Sequence, residues 1–358
     1  MKRISCIAIF GALIAIAVGL ASCSRTSPEP DTQLNLIVWS EYIPQKVLDN
    51  FYKETGIRVN CETCASGEEM LIKMWADDTK YDIAQPTDYI AEIMVKNNML
   101  FPLDYTKLPN FTFILPDFKH LPFDSDQKYT VPFMIGSVGI VVNTEKIKHP
   151  PRGYRNVFQP KYRDRIVVVD DAREMVSWAM ESLRIPINDI NEANLEKTRP
   201  VIAEWMKYIK VYDSDSPKDA LLNGEADIGI VWSGEAALLW LQDKKFQYFR
   251  PSEGAHLFVD TLAVPLKSRN IEAAHMFIDY VMRPDVSRDI SKAYPYTNPN
   301  GAARKLLTQK QLDNAASYPN LIGMTMFRDV PGSVGVIDKL YTDLKAAAGR
   351  EKRRAAGN

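Results

Sequence analysis

Histidine and cysteine are scarce: the 358-residue chain has four of each. His120, His149, His256 and His275 are scattered, and none belongs to an H-E-x-x-H metal motif. Neither G-x-S-x-G nor G-x-x-x-x-G-K-[ST] occurs, so the signatures of the α/β-hydrolase nucleophile and of P-loop phosphate binding are missing. Charge of one sign is also in short supply, with 44 Lys and Arg against 45 Asp and Glu for a net charge of −1. A chain without a basic surplus lacks the footprint of a nucleic-acid binder. Any cation it attracts must be drawn by local carboxylates, since the field of the whole molecule is weak. The longest apolar run, Ile7 to Leu20, is broken by Gly11 and Gly19. It is shorter than the roughly 20 residues a helix needs to cross a bilayer. There is no short-period repeat and no low-complexity tract.

What that run does have is the layout of an export signal. Lys2 and Arg3 precede it, and small residues follow in Leu20-Ala-Ser-Cys23. The last four residues resemble the lipobox of bacterial lipoproteins. The resemblance implies a signal peptide over 1–22 and a mature chain starting at Cys23, which carries the lipid. Several acyl chains anchor stably where one does not. The expected location is therefore the periplasm-facing surface of a bacterial membrane. Residues 23–33 are polar and rich in proline, as a flexible tether would be. Removing the first 22 of 358 residues leaves 336, enough for two domains of ordinary size, with a net charge of −3 once Lys2 and Arg3 are lost.

With Cys6 in the signal and Cys23 in the anchor, Cys61 and Cys64 remain. Their C-x-x-C spacing falls in Ile57-Arg-Val-Asn-Cys-Glu-Thr-Cys64, which reads as a strand. Residues three apart on a strand face opposite ways, so a disulfide there would need a bend. No further Cys or His pair completes a zinc site. Two free thiols are expected, and no metal or cofactor. Asp213-Ser-Asp215 hints at a calcium loop, but Pro217, Lys218 and Gly224 stand where the loop's ligands and turn glycine belong.

Hydrophobic periodicity predicts strands at 34–38, 57–59, 81–84, 137–142, 166–169, 226–231 and 261–264. It predicts helices at 44–53, 68–75, 89–96, 172–183, 193–208, 235–241 and 271–282, with Asp88 capping the third. Alternating strands and helices define an α/β protein, each lobe a mostly parallel sheet flanked by helices. The alternation restarts after 142, which suggests two lobes crossed by more than one connection. Residues 349–358 form a basic tail, read as a frayed, solvated helix end.

In open α/β sheets, ligands bind beyond the carboxyl ends of the strands. Trp39, Ser40 and Tyr42 follow the first strand, Thr87 and Tyr89 follow the third, and Asp171 and Glu174 follow 166–169. Trp232 follows 226–231, while Phe258 and Asp260 precede the strand at 261. Acids and aromatics together suit a cation on an apolar stem. Carboxylates and hydroxyls satisfy an ammonium's three donors, and aromatic faces attract it by about 0.5–2 kcal/mol each. Duller roles compete: Asp171 and Glu174 fit a helix capping box, Trp39 and Trp232 suit a core, and Tyr294 and Tyr296 could pack a proline-rich loop.

At these residues the chain resembles the spermidine/putrescine-binding proteins of bacterial polyamine ABC transporters. The likeness runs from about Leu34 to Lys345 and is densest in Trp39-Ser-Glu-Tyr42, Asp170-Asp-Ala-Arg-Glu174, Gly229-Ile-Val-Trp-Ser-Gly234 and Asp260-Thr-Leu-Ala-Val-Pro265. It implies the periplasmic-binding-protein fold, two lobes joined by hinge strands with the polyamine between them. Lobe 1 would comprise 34–140 and about 262–305, and lobe 2 about 141–261 and 306–348. The resemblance also implies ligand-binding roles for Trp39, Ser40, Tyr42, Thr87, Tyr89, Asp171, Glu174, Trp232, Phe258, Asp260 and Tyr296. The partners would be a polyamine, an inner-membrane ABC permease and, through lipid, the membrane, with the protein itself a monomer that does no chemistry. Two departures stand out. Phe258 replaces the tryptophan usual in spermidine binders, and a late glutamine is replaced near Phe327-Arg-Asp-Val330. A diamine such as putrescine is therefore expected to bind at least as well as spermidine. Other readings are a receptor for a different small solute, a surface lipoprotein with an interaction role, and a hydrolase using Asp171 and Glu174 as an acid–base pair. No nucleophile or metal motif supports the last.

Overall fold

The computed structural model describes residues 33–76 and 80–356. The expected signal peptide, Cys23 and nearly all of the tether lie outside the described residues. Among the described residues no helix is long and apolar enough to cross a membrane.

The first lobe opens with β1 (Gln33–Trp39), whose Leu34, Leu36 and Val38 enter one core while Ile37 enters another on the opposite face. Burial on both faces explains why this strand reads as an apolar run instead of an alternating one. Helix α1 (Gln45–Thr55) starts after Pro44 and stops at Gly56, whose φ of 74° closes the turn to β2 (Arg58–Cys64). Its Val47, Leu48 and Phe51 face the first core. Phe51 is fully buried, and truncation to alanine should cost about 3–5 kcal/mol. Helix α2 (Gly67–Trp75), the two-residue β3 (Ile83–Ala84) and α3 (Asp88–Lys96) follow. The cap of α3 is Thr87 where Asp88 was expected; Asp88 is the first helical residue.

The pivot of the molecule is β4 (Thr130–Asn143), buried along all 14 residues and longer than the strand expected at 137–142. Its first half, through Ser137, pairs with β9 (Leu257–Ala263); its second half, from Val138, pairs with β7 (Ile228–Trp232) and β8 (Phe246–Phe249). One strand thus runs from one lobe into the other. The register slips between Pro132 and Met134, where proline has no N–H for the ladder.

The second lobe comprises β5 (Ile166–Val168), α4 (Ala172–Ser182), α5 (Glu192–Met206), β6 (Ile209–Tyr212), β7 and α6 (Ser233–Gln242). Its main core centres on Tyr154, Trp178 and Ile228, and a smaller one on the other face holds Val141, Leu221 and Phe246. After β9 come α7 (Ile271–Val281) and α8 (Pro284–Ala293), then α9 (Ser333–Ala356), which packs on α4 and α5. The basic run 350–354 continues α9, and Lys352 Nζ donates to the Ile209 carbonyl.

The strands lie in the order β2-β1-β3-β9-β4-β7-β5-β6, with β8 also on β4. The outer pairs β1–β2, β1–β3, β5–β6 and β5–β7 are parallel, as the alternation implied. Every pairing of β4 and the β3–β9 bridge is antiparallel, so the sheet is mixed where the chain crosses between lobes.

Candidate functional site

All eleven residues singled out from the sequence line one cavity. Both lobes contribute. Trp39, Ser40 and Tyr42 come from the end of β1, and Thr87 and Tyr89 from the start of α3. Asp171 and Glu174 come from the start of α4, and Trp232 from the end of β7. Phe258 and Asp260 lie inside β9, not before it, because that strand begins at Leu257. Their two-residue spacing puts both side chains on one face.

Asp260 is the most constrained acid. Tyr42 Oη donates to its Oδ2 at 2.8 Å and Trp39 Nε1 to its Oδ1 at 3.1 Å. Burial raises its pKa to about 7, against the lowering pull of those two donors. Asp171 caps α4, its Oδ1 accepting the Glu174 N–H at 2.8 Å. Burial and then the Glu174 charge raise its pKa to about 7 as well. Among the described residues neither carboxylate makes an ion pair. Two desolvated acids without a cation are the mark of a site whose counter-ions come from outside.

Glu174 behaves differently. It does not bond back to Asp171, so the capping box is only half made. Its Oε2 accepts from Trp178 Nε1 at 3.0 Å, and its Oε1 lies 2.6 Å from His256 Nδ1. The hydrolase reading needs Glu174 free to act with Asp171; both Glu174 oxygens are instead taken by Trp178 and His256.

The same cavity holds an aromatic box. Tyr42 and Tyr296 stack at 5.2 Å, and the Phe258 ring meets Trp232 edge-on at 5.6 Å and Tyr296 at 5.9 Å. Two glycines admit these rings. A Cβ on Gly136 would fall 2.1 Å from Phe258, and one on Gly234 would fall 2.5 Å from Tyr296. Trp232 Nε1 donates to the Ser214 carbonyl at 3.1 Å, which fixes its plane. Tyr89 Oη donates to Glu68 at 3.0 Å. Both expected tyrosines, 294 and 296, reach the cavity, with Tyr296 the more buried.

At the mouth the two lobes touch through polar side chains. Ser40 Oγ donates to Asp215 Oδ1 at 3.2 Å, and Lys218 bridges Glu41 at 2.9 Å and Glu235 at 3.0 Å. Asp213, in the rejected calcium loop, accepts the main-chain N–H of Asp215 and Ser216, an ordinary turn. Cys61 and Cys64 are both free, one exposed and one buried, as opposite faces of β2 require.

Sequence reasoning missed Asp88, His256, Arg173 and Phe327. His256 Nε2 lies 3.1 Å from Asp88 Oδ2, and its ring stacks on Phe327 with centroids 3.5 Å apart. The Arg173 guanidinium lies over the Phe327 ring at 4.8 Å. The signal for His256 was parity: 256, 258 and 260 alternate along one chain segment.

Two α/β lobes, a crossing strand and a cleft lined by both lobes define a solute-binding protein of the hinge-closing class. A family model described as bacterial extracellular solute-binding protein matches residues 46–320. The chain belongs to that family, whose members named here are substrate-binding transport proteins. It is 30% identical over 339 residues to the spermidine/putrescine-binding periplasmic protein of Salmonella typhimurium, covering 93% of this chain and 97% of the relative. It is 27% identical over 337 residues to a putrescine-binding periplasmic protein of Escherichia coli, covering 87% and 88%. Its fold superimposes on the spermidine/putrescine ABC transporter substrate-binding protein of Streptococcus pneumoniae with a TM-score of 0.76 at 28% identity, over 88% of this chain and 99% of that one. A Listeria monocytogenes protein provisionally assigned to spermidine/putrescine transport gives 0.85 at 29% identity, over the same 88% and 99%.

Proposed function

We propose that this protein is an extracytoplasmic polyamine receptor that captures a diamine between its lobes and hands it to an ABC permease. The observation that carries this reading is the pair Asp171 and Asp260: two carboxylates with raised pKa, one at the start of α4 and one on β9 where it pairs with the first half of β4, neither in an ion pair, lining a cavity that also holds an aromatic box. A linear diamine supplies two ammonium groups for the acids. It also supplies methylenes for the faces of Trp39, Trp232, Phe258 and Tyr296. Tyr42 and Trp39 hold Asp260 in place, while Ser40, Thr87, Tyr89 and Glu174 complete the wall. The names of the relatives support the same ligand class. The lipid anchor at Cys23, the periplasm-facing location and a monomeric state complete the proposal. The protein then acts by binding and release, with no catalysis.

The test is a thermal-shift screen of purified protein, unfolded and refolded to strip carried-over ligand, against putrescine, cadaverine, spermidine, amino acids and sugars. A ligand that binds only the native state raises the melting point by mass action. A shift confined to polyamines supports the reading; a shift with amino acids or sugars alone replaces it with another solute.

A further inference from the structure

The cavity wall holds a cation of its own next to the acid one helical turn beyond Asp171. His256 Nδ1 is 2.6 Å from Glu174 Oε1 and Nε2 is 3.1 Å from Asp88 Oδ2, so the ring is clamped between a carboxylate of α4 and one of α3. All three side chains are at least 96% buried. The remaining bonds of the two acids are also spent inside the protein. Glu174 accepts from Trp178, and Asp88 accepts the main-chain N–H of Tyr89 at 2.8 Å and of Phe327 at 3.0 Å. Phe327 covers the imidazole face at 3.5 Å and 15°. Burial alone would lower the pKa of this histidine; Glu174 and then Asp88 outweigh it and push it up to about 10, so the ring is an imidazolium at neutral pH. Both ring nitrogens then donate, one to each acid.

His256 is a single positive charge between two acids, Glu174 and Asp88, and Lys218 a single one between Glu41 and Glu235, so each cluster keeps a net negative charge. The buried Arg173 guanidinium lies on the same wall over Phe327, and Asp215 is held by the Ser40 hydroxyl. Asp260, buried, and Asp171, half-buried, alone among the lining acids make no ion pair and are not exposed. A triamine brings three ammonium groups, and its third, one arm beyond Asp171, would meet Glu174, whose two oxygens are already spent on Trp178 and His256. A buried ammonium that finds no free acceptor is costly.

We propose that His256 sets ligand chain length: clamped by Asp88 and Glu174, its imidazole takes the place of a third ligand ammonium, so the cavity accepts diamines and rejects triamines. This inference rests on the polyamine reading. It assigns Phe327 a part too, as the apolar cover that keeps the ring in position where the segment after α8 returns to the cavity.

Calorimetric titration of the full protein with putrescine and spermidine, in wild type, His256→Ala and His256→Gln, tests it. Wild type should bind putrescine at least tenfold more tightly than spermidine. Each variant frees Glu174 and should move the ratio at least tenfold toward spermidine, with His256→Ala moving it further because it also opens space. An unmoved ratio in folded variants, or a wild type that favours spermidine, overturns the inference while leaving the polyamine reading intact. Binding of neither polyamine to wild type overturns the polyamine reading itself. If both variants fail to fold, ¹⁵N-histidine spectra of wild type decide. A doubly protonated His256 at pH 8, unchanged by saturating putrescine, upholds the clamp, and a neutral ring, or one displaced when spermidine is added, overturns it.

Discussion

The Tyr42 hydroxyl lies 2.8 Å from Oδ2 of Asp260, linking the end of β1 to the middle of β9 across 218 residues of chain. With Trp39 on the other oxygen, the carboxylate is oriented before any ligand arrives. Pre-organisation of this kind lets a site spend little on ordering when it binds.

Asp260→Asn should weaken putrescine binding about 100-fold, the loss expected when one member of a desolvated charge pair is removed. The ligand-free melting point should stay within about 2 °C, since the substitution removes a carboxylate that the empty cavity leaves without a cation. Calorimetry and a melting curve measure both. A large drop in apo stability would make Asp260 a structural residue.

Asp171 and Asp260 also set a pH dependence. Their folded-state pKa values, about 7, lie above the unfolded value of 3.8. The native state therefore binds protons more tightly, and their contribution to stability is full below about pH 4 and lost as pH rises through 7. The apo protein's stability should fall less steeply over that range in Asp260→Asn than in wild type. Diamine binding needs both acids ionised, so at pH 6 it should release one to two protons. Titrations in two buffers of different ionisation enthalpy count them; zero release would show the acids already ionised.

Gly136→Ala should cost about 1–3 kcal/mol of stability, the usual penalty of overpacking. The added Cβ falls 2.1 Å from the Phe258 ring. Ligand affinity should drop with it, because the displaced ring carries the contact to Trp232 and Tyr296. Denaturant unfolding gives the first quantity and calorimetry the second. Rescue of stability, but not of affinity, by Phe258→Leu in the Gly136→Ala background would assign the effect to that contact.

Cys61 is exposed and Cys64 is buried on the opposite face of β2. A thiol reagent applied to the native protein should modify Cys61 and spare Cys64 until unfolding, as peptide mapping would show. Equal labelling, or a disulfide between them, would mean that the strand does not hold its register with β1.

Local patterning determined a good deal here. Trp39 and Trp232 were legible as strand-end residues because an apolar run of four or five residues followed by polar ones marks both the strand and its carboxyl end. Phe258 and Asp260 line the cavity with the other expected residues but lie inside their strand, not ahead of it. The apolar run ahead of Thr261, Leu257-Phe-Val259, is only three residues long and is flanked by His256 and Asp260, and pairing with β4 shows that it belongs to β9. The half-made capping box of Asp171 and Glu174 was equally ambiguous from spacing, since the same two acids can bond to each other's backbone or to something distant. His256 settles it from 82 residues away.

The sequence by itself determined the α/β alternation, which depends on residue type and on neighbours a few positions away, and a family resemblance that picked out eleven of the residues lining the cavity. Tertiary structure decided the 14-residue crossing strand, the mixed sheet at its centre, and which acids are left without a counter-ion. Those depend on contacts between segments 80 to 240 residues apart, and ion pairing in a desolvated interior is fixed by distances of a few ångströms that no local pattern encodes.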